Sequence, residues 1–262
     1  MNARLRQLAL GLTALAVTAL HPAAARISPA DYRKVGVSVP DGATTPLETV
    51  VIDESGKQQT LRDFVTAPTV LVFADYTCRT LCGPVIDFVS AALEKSGLAE
   101  NQYRLVVIGL DPKDSAADAA AMRSASLAPA LGKVATFLTA DAASVAALTS
   151  ALGYRFKYDA ADDVYVHPAA AYVLTADGKV ARVLTGLGLS GADMRLALVE
   201  AGRGKVGTIR DQVRLLCSSF DPSHGTYNAA ISRMLALAGG ATVLALGGGI
   251  GLLALAGRRR AT

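Results

Sequence analysis

The chain has 262 residues, 52% of them apolar and 18% charged, with a formal net charge of +4. High apolar content with few charges excludes an intrinsically disordered chain. Five of the 26 basic residues (Arg4, Arg6, Arg258, Arg259 and Arg260) lie in the terminal segments, leaving 21 against 22 acidic residues, so a nucleic-acid partner has no electrostatic support.

Residues 1–25 join a short basic start to an apolar run, Leu8 to Leu20, and then to Ala23-Ala24-Ala25. That order predicts a secretory signal peptide cleaved after Ala25. The alternative is an uncleaved anchor, for which the apolar run is short against a hydrocarbon core of ~30 Å. Residues 26–46 carry Pro29, Pro40, Asp41-Gly42 and Pro46 and read as an extended lead-in.

A domain is expected over residues 47–202. Leu71-Val72-Phe73 and Leu105 to Leu110 are short continuous apolar runs, the pattern of strands covered on both faces. Between them Val85, Ile86, Val89 and Leu93 recur at helical spacing. Asp141 is placed to cap a helix whose apolar face is Val145, Leu148 and Leu152. Ala171 to Leu174, Asp177-Gly178 and Val180 to Leu184 read as a β-hairpin. Ser190 with Asp193 is a capping-box signature for a last helix. Alternating strands and helices followed by a hairpin and a helix predict an α/β domain, a thioredoxin-like mixed sheet flanked by helices.

Residues 203–233 read as a polar connector, with Asp221-Pro222 and His224-Gly225 as turns. Met234 to Gly257 then holds 24 residues without a charge, followed by Arg258-Arg259-Arg260. At ~1.5 Å per residue this predicts a transmembrane helix over 234–257 with a cytoplasmic tail, 258–262. Together with the signal segment it places the domain on the periplasmic face of an inner membrane.

Few residues are available for chemistry: the chain has three Cys and three His. Cys78 and Cys82 bracket Arg79-Thr80-Leu81 between a strand and a helix that Pro84 requires to start nearby. A helix N-terminus favours thiolate. Two thiolates there suit disulfide exchange or a soft metal ion. Thioredoxin-type redox pairs have two intervening residues, and this pair has three. Structural zinc needs a fourth ligand that the chain lacks, and a purely structural disulfide would close almost no loop. His167 precedes the strand Ala171 to Leu174, and in a thioredoxin-like topology that turn faces the active-site loop. Two thiolates and an imidazole suit Cu(I), or Cu(II) with a fourth position open. Cys217 reads as a packed apolar residue or, with His224, as a second metal or redox position. Asp111-Pro112 reads as a strand-end turn.

These motifs resemble the Sco/SenC family of membrane-anchored copper-binding proteins, which help assemble the copper centre of cytochrome c oxidase. The resemblance runs from about Leu47 to Tyr227. It rests on Phe73-Ala74-Asp75-Tyr76-Thr77-Cys78, the Cys-x-x-x-Cys spacing, Asp111-Pro112 and His167. The stretch Asp211 to Cys217, followed by Phe220-Asp221-Pro222, looks like a bacterial branch with a C-terminal membrane helix. By motif the resemblance implies copper ligation by Cys78, Cys82 and His167 on a thioredoxin-like fold. It also implies the copper-bearing oxidase subunit as a partner, with periplasmic copper carriers or thiol reductants as others. Arg79 stands where the family commonly has Pro, no acid lies between the cysteines, and Pro168 is reminiscent of the cis-proline beside a thioredoxin redox pair. The expected function is therefore a copper metallochaperone, the alternatives being a periplasmic thiol-disulfide reductase and a copper or redox sensor.

Overall fold

The structure, a computed structural model, describes residues 34–78, 82–160, 163–186, 189–203, 207–216, 218–221, 226–229 and 236–249. Three short strands come first: β1 (Gly36–Val37), β2 (Val50–Ile52) and β3 (Gln58–Thr60). The central units follow as β4 (Thr69–Ala74), α1 (Cys82–Ser96), β5 (Arg104–Gly109), α2 (Ala116–Ser126), β6 (Ala135–Leu138) and α3 (Ala142–Ala151). Next come β7 (Tyr154–Arg155), β8 (Lys157–Asp159), β9 (Val164–Val166), β10 (Ala170–Leu174), β11 (Val180–Thr185) and α4 (Gly191–Ala201). The C-terminal part holds α5 (Ile209–Leu216), β12 (Ser218–Asp221), β13 (Thr226–Ala229) and a helical run α6 over 236–249.

Five strands form the central sheet in the order β11-β10-β4-β5-β6. β4, β5 and β6 are parallel, and β10 runs antiparallel to both β4 and β11. All six residues of β4 are buried because both faces of the sheet are covered. Val70, Val72 and Ala74 pack with Val85, Ile86, Val89 and Leu93 of α1 and with Met194, Ala197 and Leu198 of α4. The intervening Leu71 and Phe73 pack with Val145, Leu148 and Leu152 on the opposite face. Each buried Val, Leu, Ile, Phe or Met among them contributes ~1.5–3 kcal/mol on burial. That packing on both faces fixes the C-terminal end of β4, from which the cysteine loop leaves.

The expected caps are present. Asp141 accepts the Ser144 N–H at 2.7 Å, and Ser190 accepts the Asp193 N–H at 3.1 Å. The mixed sheet flanked by helices is the thioredoxin-like arrangement expected from the strand and helix order. Two features differ from that reading. Part of the lead-in is incorporated into the domain: β1 pairs with β7, and Thr45 N–H donates to Gly178 O at 2.8 Å. The 203–233 connector is likewise partly folded. Phe220 and Tyr227 pack on the core, and Tyr227 O–H donates to Glu200 at 2.6 Å. Asp211 takes two hydrogen bonds from Arg195, at 2.8 and 2.7 Å, which hold its carboxyl well below the usual carboxylate range.

Among the described residues no helix is long and apolar enough to cross a membrane. α6 is the described part of the expected 234–257 span. Its residues are exposed and uncharged, including Leu237, Val243, Leu244 and Leu246. The rest of that span, the signal segment 1–25 and the tail 258–262 lie outside the described residues.

Candidate metal centre

The cysteine segment leaves β4 at Ala74. Cys78 lies half-buried on the loop, and Cys82 is the first residue of α1, whose first turn contains no acidic residue. Residues 79–81 and the Cys82 side chain lie outside the described residues. A helix N-terminus without a carboxylate keeps its partial positive charge for a thiolate.

Two acids and a tyrosine hold this loop. Asp75, 1% exposed, accepts hydrogen bonds from Thr77 N–H, Thr77 O–H and Cys78 N–H, each at 3.1 Å to Oδ1. Its Oδ2 accepts the Tyr165 N–H of β9 at 3.0 Å. Asp114 accepts the Tyr76 N–H at 3.0 Å, and burial pushes its carboxyl up to about 6, with the charges of Asp75, Asp111 and Asp118 adding to the shift. The Tyr76 ring lies against Gly109, where a Cβ would come within 3.0 Å of it. Its hydroxyl reaches Leu138 O at 2.8 Å. The Tyr76 ring thus anchors the loop to β5 and β6.

His167 stands half-buried between β9 and β10. Its Nδ1 lies 2.9 Å from the Tyr154 hydroxyl and 3.2 Å from Pro168 O, while the Tyr154 O–H reaches Pro168 O at 3.0 Å. One proton assignment satisfies all three contacts. Tyr154 donates to the carbonyl, and Nδ1–H donates to the carbonyl and the tyrosine oxygen. That tautomer leaves the lone pair on Nε2, which is the ligand form of a histidine. Burial pushes the imidazole below its ordinary value. The hydrogen bond to Pro168 O and the charges of Cys78 and Asp75 pull the other way. The imidazole is thus neutral at neutral pH, with the charge of Cys78 acting on it.

Of the expected set, the structure describes Cys78 on the loop after β4 and His167 on the segment between β9 and β10. Among the described residues no three His, Cys, Asp or Glu groups converge on one point, and the Cys82 side chain is not among those residues. The donor chemistry fits a soft ion: thiolate from the cysteine loop with a neutral imidazole whose tautomer is fixed. The His167–Pro168 bond is trans, unlike the proline of a thioredoxin redox site. Its carbonyl serves Tyr154 and His167 instead. Asp111 closes a turn, accepting the Lys113 N–H at 2.8 Å. Cys217 and His224 lie outside the described residues. A groove of about 980 Å³ beside β11, lined among others by Val183, Leu215 and Phe220, includes none of Cys78, Cys82 and His167.

The sequence analysis quoted Asp75 within the cysteine motif without giving it a role, and named neither Tyr154 nor Asp114. Asp75 did carry a signal, since an acid directly after a fully apolar strand must be buried or paired. Tyr154 carried none, because its partner His167 is 13 positions away across a hairpin.

Comparison with known proteins agrees with the geometry. A putative electron transfer protein from Aquifex aeolicus VF5 shares 20% identity at a TM-score of 0.55, over 61% of this chain and 93% of that one. Arabidopsis thaliana ScoI, solved with copper bound, shares 16% at a TM-score of 0.50, over 59% and 96%. A SCO1/SenC family lipoprotein from Bacillus anthracis str. Ames shares 16% at 0.51, over 64% and 99%. These likenesses show the thioredoxin-like fold. No curated protein matches the chain. The SCO1/SenC family model matches residues 49–199, from β2 through the cysteine loop and His167 into α4, and the chain belongs to the SCO1/SenC family.

Proposed function

We propose that this chain is a membrane-tethered copper metallochaperone that assists assembly of the copper centre of cytochrome c oxidase. The observation behind the reading is His167: Pro168 O and the Tyr154 hydroxyl lie at its Nδ1, which supports Nε2 as the metal donor, and the charge of Cys78 acts on the ring. Family membership and the copper-bound plant relative support it. Copper is the cargo. Cys78 and Cys82 thiolates with the His167 imidazole would hold it, and a three-donor soft set permits ligand exchange with the copper-bearing oxidase subunit.

The exposed, uncharged α6 supports a bilayer span over 234–257, with the domain in the periplasm and the three arginines in the cytoplasm. In that compartment copper carriers would load the site and thiol reductants would keep the cysteine pair competent.

The test is Cu(I) affinity of the full chain in detergent, reduced and oxidised, with oxidase assembly in cells carrying His167→Ala. One of three ligands is lost, so affinity should fall by orders of magnitude while Cys78 and Cys82 still cycle between dithiol and disulfide. Failed oxidase assembly with retained cysteine cycling supports delivery. Normal assembly with copper binding abolished would overturn it and favour the reductase, which needs only the two cysteines.

A further inference from the structure

We propose that Asp75 is a positioning residue that clasps the cysteine loop to the histidine strand, and that copper affinity depends on this clasp. The proposal rests on the copper reading above and adds the residue that brings its ligands together. Cys78 and His167 belong to segments 89 positions apart, one leaving β4 and the other entering β10. Asp75 touches both segments. One carboxylate oxygen takes the Thr77 and Cys78 donors, and the other takes the Tyr165 N–H two residues before His167.

The match is one of count as well as position. An ionised carboxylate offers about four lone-pair sites and no donor, and Asp75 meets four donors: two N–H groups and a hydroxyl on the loop side, and one N–H on the strand side. No neutral side chain of that size can accept from both sides. An asparagine must turn its NH₂ toward one of them, opposing a donor with a donor. Asp75 itself is 1% exposed, so water does not readily take the place of its carboxylate. β9 pairs with β8 through Tyr165 opposite Tyr158, yet the Tyr165 N–H is directed to Asp75. Losing it would let β9, and His167 after it, move away from the loop. Partners that orient metal ligands are typically worth 10–100-fold in affinity.

A double-mutant cycle on the full chain in detergent tests the clasp, with Cu(I) as the probe and a chromogenic Cu(I) chelator as competitor. Asp75→Asn should weaken Cu(I) binding by roughly 10–100-fold in the otherwise unchanged chain. In a His167→Ala background it should weaken binding by clearly less, because the share of its effect that passes through His167 is gone and only its hold on the Cys78 loop remains. An equal loss in both backgrounds would assign Asp75 a purely structural role and overturn the proposal, as would no loss in either. Should Asp75→Asn fail to fold, Asp75→Ser enters the same cycle; it fits the space and reaches only one side. A metal-free measurement stands beside it: the Tyr165 amide should be protected from hydrogen exchange in the parent and lose protection in the variant. An unprotected Tyr165 amide in the parent overturns the clasp while leaving the copper reading intact. A parent chain that binds no Cu(I), with Tyr165 protected, defeats the copper reading and the proposed dependence, and leaves only the hydrogen bond.

Discussion

Replacing Tyr154 by Phe removes one oxygen and little else. The ring is buried against Phe73, at a centroid distance of 4.7 Å, and against Tyr172 at 6.2 Å, and Phe keeps both contacts. The hydroxyl accepts from His167 Nδ1 at 2.9 Å and donates to Pro168 O at 3.0 Å. Pro168 O keeps the Nδ1–H at 3.2 Å after the change, so the carbonyl is not orphaned and the tautomer survives. The net loss is about one neutral hydrogen bond, ~1–1.5 kcal/mol of stability, readable as a lower urea midpoint at unchanged slope. The imidazole loses one of the two partners described at its Nδ1, and Cu(I) affinity should fall about tenfold, equivalent to ~1.4 kcal/mol. Chelator competition on the full chain measures it. Unchanged affinity would refute the orienting role of the hydroxyl. A loss as large as that of His167→Ala would refute the tautomer assignment, because the remaining Pro168 bond would then not hold the ring in ligand form.

Gly109→Ala sets a Cβ 3.0 Å from the Tyr76 ring, whose hydroxyl is held at Leu138 O; it should cost ~1–3 kcal/mol in denaturant unfolding, and a neutral effect would show the loop anchor to be soft. The Asp114 carboxyl holds its proton up to about 6 in the folded chain against 3.8 unfolded. Its contribution is therefore fully present below pH 3.8 and lost as pH rises through about 6. Asp114→Asn should gain on the parent by ~2–3 kcal/mol between pH 4 and 7.5, and a pH-independent difference would contradict the burial argument. Asp211→Ala leaves the Arg195 guanidinium without its two carboxylate bonds and should cost ~2–3 kcal/mol, with faster proteolysis within residues 207–229; unchanged proteolysis would mean that this pair does not hold the annex. A periplasm-active reporter inserted within 230–233 should be active and one fused after Thr262 silent, and the reverse pattern would remove the periplasmic reading.

Much of the fold was legible because it rests on local, periodic signals. Leu71 to Phe73 and Leu105 to Leu110 read as buried strands, Val85, Val89 and Leu93 as a helix face, and Asp141 and Ser190 as caps, and each stands there in the structure. Each needs only its own neighbours to be recognised. The β8–β9 hairpin escaped notice because three-residue strands with no buried position carry no buried-and-exposed alternation. The folding of α5, β12 and β13 onto the domain escaped notice for a related reason. Its anchors, Arg195 to Asp211 and Glu200 to Tyr227, are polar contacts between side chains 16 and 27 positions apart.

The site divides along the same line. Cys78, Cys82 and His167 were named from residue type and spacing, from the expected topology and from the family resemblance, in a chain where soft donors are rare. What sequence could not supply was the state of those donors. The Nδ1–H tautomer of His167 depends on Tyr154 and Pro168 O meeting around one ring, and the seat of Cys78 depends on a carboxylate shared with Tyr165. The identity of a ligand is a property of one residue. Its protonation, orientation and distance from the next ligand are set by hydrogen bonds across 13 to 90 positions of chain, which only tertiary packing brings within 3 Å.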